Sequence, residues 1–353
     1  LTTENKPNIR ALSFEELKEK MVSWGEKPFR AKQLYEWIWT KSYTGFDEMT
    51  NLSKALREKL HENFSFRKLE ISDLQHSSDG TFKAAFKLFD GNVVEGVLIP
   101  AGDRMTACIS SQVGCSLTCA FCATGKLKRV RNLSPDEIYD QVVTIKNLAQ
   151  EHYGKNLSNI VYMGMGEPLL NYKNTLESVE KITGTYGLGM SPKRITISTA
   201  GVSKLIKQLG DDEVRFNLAL SLHAANDEKR NKIMPINESN NLEVLAESLR
   251  HFHDKTGTRV TFEYIIFKDF NDELEDAQEL ADFCRHVPCK INIIEYNPID
   301  EGIYQQADPE KVDRFSAYLE SRNLVVNVRR SRGKDIDAAC GQLANKNKAV
   351  ELP

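Results

Sequence analysis

From Thr106 to Glu295 short β-branched runs alternate with amphipathic stretches of helical length, and this alternation limits the fold more than any other feature. The runs are Thr106–Ser110, Asn159–Met163, Arg194–Ser198, Phe216–Ser221, Arg259–Phe267 and Lys290–Glu295, each followed by a helical pattern. The first helix opens on Ser134-Pro135-Asp136-Glu137, an N-cap serine, a proline at the first helical position and a capping-box glutamate. Strands joined through helices pair in parallel, because a tight turn can only join antiparallel neighbours. A series of such units curls into a partial or full barrel, so the expected class is α/β. A last strand, Val325–Arg329, leads into a polar tail that carries Cys340.

Upstream, residues 1 to about 70 read as helical, with Phe14, Leu17, Met21 and Trp24 on one face. The Trp-rich stretch at 35–39 reads as helix core rather than a stacking platform for bases. Residues 81–100 turn strand-like, with Asp90-Gly91-Asn92 as a hairpin turn. The expected organisation is a small helical accessory domain (1–75), a β extension (76–104), a barrel (105–330) and a tail (331–353).

With 353 residues the chain can bury one large core plus a small accessory domain. No apolar run is long enough to cross a bilayer, and Leu1–Arg10 lacks the basic-then-apolar order of a signal peptide. A cytoplasmic protein without membrane association is the expectation; the first residue is not methionine, which leaves the native N-terminus open. The net charge of −3 does not argue for nucleic acid, but local charge is uneven. Lys126, Lys128, Arg129 and Arg131 form one basic run, and Arg329, Arg330, Arg332 and Lys334 another.

Seven cysteines without a secretory signal point to metal or redox chemistry rather than a disulfide framework. Cys284 and Cys289 read as small buried apolar residues. Cys115, Cys119 and Cys122 crowd into one loop directly after the first strand. Tetrahedral zinc and ordinary iron–sulfur sites take four protein ligands. Three thiolates on a four-iron cube leave one iron open to bind S-adenosylmethionine (SAM) and pass an electron to its sulfonium. A zinc loop completed by a distant cysteine or histidine is the alternative. In a βα barrel the working residues sit in loops at the C-terminal strand ends. Gly166 and Glu167, Ser198, the Ser221-Leu222-His223 segment and Asn297 all fall there, and together they make one rim.

The C-x3-C-x2-C spacing, with Phe121 before the last cysteine, closely resembles the radical SAM signature. The strings Ser110-Ser-Gln-Val-Gly-Cys115, Cys122-Ala-Thr-Gly125, Met163-Gly-Met-Gly-Glu-Pro168, Met234-Pro-Ile-Asn237 and Asp337-Ala-Ala-Cys340-Gly-Gln-Leu343 narrow it further. They resemble the dual-specificity RNA adenine-C2 methyltransferases of that superfamily, over nearly the whole chain. The resemblance implies a partial (βα)6 TIM-type barrel, one 4Fe-4S cluster on Cys115, Cys119 and Cys122, and SAM held by Gly166, Glu167, Ser198, Ser221, Leu222, His223 and Asn297. It implies that Cys340 is methylated by one SAM and that a radical from a second activates this methyl group for addition to adenine C2. Cys108 then resolves the protein–RNA adduct by forming a disulfide with Cys340, and Glu95 accepts the proton. The implied partners are 23S rRNA, at an adenosine of the peptidyl-transferase centre, tRNA at adenosine 37, and an electron donor such as flavodoxin. The basic runs become candidate phosphate contacts, and nothing calls for more than a monomer. The sister family that methylates C8 of the same rRNA adenosine shares all five cysteines; Pro168 and the matching N-terminal region favour C2.

Overall fold

In the computed structural model, which describes residues 6–346, the chain starts with three helices: α1 (Phe14–Ser23), α2 (Phe29–Tyr35) and α3 (Lys54–Asn63). Ser13 and Glu16 close a capping box on α1, and Ser53 caps α3. After α2 the helix widens into one π turn over Glu36–Thr40. Trp37 and Trp39 are buried there, which bears out the core reading of that stretch. Trp39 meets the ring of Tyr139 edge-on at 5.2 Å, and Arg10 reaches across to Asp140 at 2.6 Å. These contacts seat the helical unit on the first barrel helix.

The next strands are β1 (Glu70–His76), β2 (Phe82–Lys87), β3 (Val93–Ala101) and β4 (Arg104–Cys108). Gly91 takes a φ of +79° at the β2–β3 turn, as the Asp-Gly-Asn sequence predicts. The periodicity does not reveal β1. It is an edge strand with Ile71 and Leu74 both exposed, so no face of it alternates.

Beyond β4 lie a short ribbon of β5 (Gln112–Val113) and β6 (Arg131–Asn132), and then α4 (Pro135–Tyr153). The backbone N–H of Ser134 donates to Glu137 at 2.9 Å, as the capping motif requires. There follow β7 (Asn159–Tyr162), α5 (Tyr172–Thr183), β8 (Ile195–Thr199), α6 (Ser203–Asp211), β9 (Asn217–Ser221), α7 (Asp227–Ile233) and α8 (Leu242–Thr256). The rest is β10 (Val260–Ile266), α9 (Leu274–Phe283), β11 (Cys289–Glu295), α10 (Pro309–Ser321) and β12 (Val326–Arg329).

A single sheet runs β1-β2-β3-β4-β7-β8-β9-β10-β11-β12. Its first four strands pair antiparallel, and from β4 onward every pair is parallel. The two ends of this order are not neighbours, so the barrel is partial, as expected. Leu218, Leu220, Phe262, Tyr264, Ile291 and Ile293 are fully or almost fully buried along its strands. Each such apolar side chain contributes roughly 1.5–3 kcal/mol of burial. Cys284 belongs to this core, while Cys289 opens β11 half-buried. Among the described residues no helix is long and apolar enough to cross a membrane. All the parallel strands end on one side, where the loops that carry the cysteine motif and the rim residues meet.

Candidate functional site

At that side the strand ends surround a cavity of about 320 Å³. Cys108, Cys115, Cys119, Cys122, Gly166, Glu167, Ser198, Ser221, His223 and Cys340 all line it. Leu222, Asn297 and Glu95 are not on its wall.

The cysteine loop is set by close packing. Gly114 has φ +71°, and a Cβ there would lie 2.2 Å from the carbonyl oxygen of Lys128. Only glycine lets the β5–β6 ribbon close beneath Cys115. Ala120 N–H donates to Ile233 O at 2.9 Å, which ties the loop to the end of α7. Phe121 meets His223 edge-on at 4.7 Å. Burial pushes the Cys115 thiol up to about 11 and raises Cys119 and Cys122 as well. Thiolates there need a cation to neutralise them. Among the described residues no three His, Cys, Asp or Glu side chains converge on one ion's position. Three thiols from one loop on the wall of a cavity with room for a small molecule are a donor set that fits a cluster with one open iron.

Gly166 has φ +92°, and a Cβ would meet Gln112 at 2.4 Å. Glycine is thus required by close packing on Gln112, and the residue also lies on the cavity wall. Glu167 is buried; its carboxylate accepts from Ala200 N–H at 2.8 Å and Leu169 N–H at 3.0 Å, and burial raises its pKa. The hydroxyls of Ser198 and Ser221 stand 3.4 Å apart on neighbouring strands. His223 holds a φ of +56°, and its Nδ1 accepts from Ile265 N–H at 3.1 Å. Burial, then the charge of Arg230, lowers it to about 3, so the ring is neutral with its proton on Nε2. Leu222 has its side chain in the core, its N–H on Glu263 O at 3.0 Å and its carbonyl on Arg230 Nε at 3.1 Å. It shapes the segment and leaves no group facing the cavity.

The chain after β12 returns as a strap over the mouth. Gly333 N–H donates to Asp79 at 2.8 Å, and Asp335 accepts from Ser77 Oγ at 2.5 Å. Further on, Ala123 N–H donates to Gly341 O at 2.8 Å and Thr124 Oγ1 to Leu343 O at 2.6 Å. Asn297 is buried and donates from Nδ2 to Cys340 O at 3.2 Å. Cys340 thereby comes down beside Cys122. Cys340 is an exposed residue that lines the cavity, and burial by the surrounding protein pushes its thiol up to about 12. Cys108 faces the same space, likewise raised to about 12, and both are free thiols here.

Glu95 lies under the strap. One carboxylate oxygen accepts from Ala344 N–H at 2.9 Å and Asn345 N–H at 3.0 Å, and the other stands 3.6 Å from Lys83 Nζ. Of the first basic run, Arg131 is spent on Asp90 at 2.6 Å and Glu137 at 2.8 Å, and Lys126 on Asp300 O at 2.5 Å. Lys128 and Arg129 stay exposed. Arg104, Arg329, Arg330 and Arg332 ring the cavity mouth.

Two residues in the fabric of the site are given no role by the sequence. Ser110 Oγ donates to Glu95 O at 2.6 Å and accepts from Met165 N–H at 2.8 Å, so it ties β3 to the segments that follow β4 and β7. Arg230 sits fully buried behind the ends of β8 and β9. Its setting in a run of polar helix residues resembles solvated surface, and no local signal marks it.

Residues 7–65 match the family described as the ribosomal RNA large subunit methyltransferase N-terminal domain, and residues 109–284 match the radical SAM superfamily. A probable dual-specificity RNA methyltransferase of Cytophaga hutchinsonii is 61% identical over 98% of this chain and 94% of its own length. One from Christiangramia forsetii is 58% identical, covering 98% of each. The crystal structure of a radical SAM methyltransferase from Sphaerobacter thermophilus superposes with a TM-score of 0.90 at 38% identity, covering 96% of this chain and 99% of that one.

Proposed function

The chain belongs to the dual-specificity RNA methyltransferase family of the radical SAM superfamily, and from that premise we propose that it methylates C2 of adenosine in 23S rRNA and tRNA through a methyl group carried on Cys340. The observation that carries this reading is the strap. It lowers a thiol from the C-terminal tail into the same cavity that holds the three loop cysteines and Cys108.

Adenine C2 is an electron-poor ring carbon, and a sulfonium cannot alkylate it by simple displacement. A cluster on Cys115, Cys119 and Cys122 would supply, when bound, the electron that cleaves SAM. The backbone at Gly166 and the carboxylate of Glu167 would receive the methionyl end of SAM. The Ser198 and Ser221 hydroxyls and the Nε2 proton of neutral His223 would serve its ribose and carboxylate. Asn297 acts on the carrier, since its amide holds the Cys340 carbonyl. A carrier thiol splits one difficult transfer into two easier ones. Cys108 faces Cys340 across the cavity, placed to take up its sulfur as a disulfide when the RNA departs. Glu95 can reach an adenine only after the strap amides leave its carboxylate, so strap release precedes its role as proton acceptor. A single-stranded loop whose adenine is splayed out fits a cavity of this size with arginines at its mouth. Arg329, Arg330 and Arg332 are then the phosphate contacts, joined by Lys128 and Arg129. The helical unit of α1, α2 and α3 positions the RNA, the external reductant is of the flavodoxin type, and the protein works in the cytoplasm.

The test is anaerobic reconstitution followed by methylation of rRNA and tRNA fragments, with digested RNA mapped by mass spectrometry. The expected product is 2-methyladenosine, lost in Cys340→Ala. Either 8-methyladenosine or undiminished turnover in Cys340→Ala would overturn the reading.

A further inference from the structure

Arg230 is fully buried, yet none of its hydrogen-bond partners is a carboxylate. The guanidinium donates to Leu222 O at 3.1 Å, Ala200 O at 2.7 Å, Ser221 O at 3.2 Å and the side-chain oxygen of Asn237 at 2.6 Å. These acceptors engage all three of its nitrogens without neutralising its charge. Asp227 is within Coulombic range, but its Oδ1 is taken by Asn237 Nδ2 at 2.8 Å and Leu242 N–H at 3.0 Å. A buried cation without a salt bridge is costly, and proteins hold one where something anionic faces it.

The anion is supplied on the cavity side. Ala200 and Ser221, whose carbonyls Arg230 grips, share the cavity wall with Cys119. The loop is tied at Ala120 to Ile233, one helical turn beyond Arg230. Ile233 and Met234 pack in the same apolar cluster as Phe121, against Cys119 and Cys122. The charge of Arg230 acts on Cys119, while the carboxylate of Glu167 acts from another quarter on Cys115 and Cys119.

We infer that Arg230 is a fixed counter-cation for the cysteine loop, placed to favour electron entry into a cluster held there and so to set its reduction potential. This rests on the cluster reading above. A four-iron core on three thiolates carries net negative charge. Reduction adds one electron from the external donor and no proton, so the reduced state is the more negative. A positive charge in a low-dielectric wall stabilises that state more than the oxidised one. A merely structural Arg230 would shape the β8 and β9 rim through its hydrogen bonds and leave the potential alone.

The experiment uses the full chain, reconstituted anaerobically, and reads iron, labile sulfide and the midpoint potential by EPR-monitored titration. Zinc in place of iron in the unaltered protein would end both the cluster reading and this inference. With the cluster present, Arg230→Gln should lower the potential, giving about tenfold less reduced cluster at a fixed applied potential, or about 59 mV for one electron. Arg230→Lys, which keeps the charge, should stay near the unaltered protein. An unmoved potential in Arg230→Gln, or equal shifts in the Gln and Lys variants, would overturn the inference alone. If Arg230→Gln holds no iron, Arg230→Lys decides: a potential near that of the unaltered protein supports the counter-cation, and a fall of about 59 mV or more removes it.

Discussion

The cysteine loop and the carrier strap bring thiols to one cavity by opposite means. The loop is held by backbone packed too tightly for a side chain, as at Gly114, and by buried apolar neighbours on two strands. The strap is held by side chains that reach out to its backbone: Asn297, Thr124 and Glu95 each grip one or two of its groups. Packing of the first kind cannot loosen without wider unfolding, whereas polar contacts of the second kind exchange for water one by one. A thiol that only holds a cofactor needs the first. A thiol that must take a methyl group, present it and then release the RNA needs the second.

Gly114→Ala attacks the packed side of this comparison and carries the largest expected effect. The added Cβ meets Lys128 O at a φ of +71°, which costs on the order of 3 kcal/mol. Iron content after reconstitution should fall by about tenfold or more, since 1.4 kcal/mol is a factor of ten. A normal iron content would show that the loop is looser than its packing implies. Glu95→Gln attacks the strap and comes next. It weakens a charged acceptor for two tail amides, worth about 1.5–3 kcal/mol, and should speed labelling of Cys340 by a bulky maleimide roughly 10- to 100-fold. Labelling of Cys119, followed in the same digest, should not change. Thr124→Val removes one buried hydrogen bond to Leu343 O, about 1 kcal/mol, and should speed Cys340 labelling about fivefold.

The smallest effect is a response to acid. Hydrogen bonds from Ser77 and Ser78 hold the Asp335 carboxyl at about 2. Its folded value is below the unfolded one, so its hold on the strap is complete above the unfolded value and is lost as pH falls from about 4 to about 2. Amide-exchange protection at residues 334–346 should decline over that interval while residues 115–122 keep theirs. Equal decline in both would remove the distinction between the two regions.

Most of the packed region is legible in the chain itself. Runs such as Phe216–Ser221 and Arg259–Phe267 are apolar on both faces because parallel strands are covered on both, and the cysteine spacing stands out against any background. What is hidden is long-range and polar. Glu95 meets Ala344 and Asn345 from the far side of the chain, and no periodicity links them. The strand-end place of Asn297 puts it on the rim, but nothing in the sequence announces the bond from its Nδ2 to Cys340 O. Arg230 lies among Lys229, Asn231 and Lys232 on a short polar helix, and only the fold turns it inward. β1 is missed for the opposite reason: it buries too little to impose a pattern.

The central claim is that the methyl group passes through Cys340. It is tested most directly by charging the reconstituted protein with deuterated-methyl SAM in the absence of RNA, removing the free SAM, and then adding unlabelled SAM, reductant and RNA. The expected result is a labelled methyl on the Cys340 peptide that disappears from the protein and reappears on adenine C2 in the first turnover. An unlabelled first product, with the label still on the protein or never attached to Cys340, would contradict it.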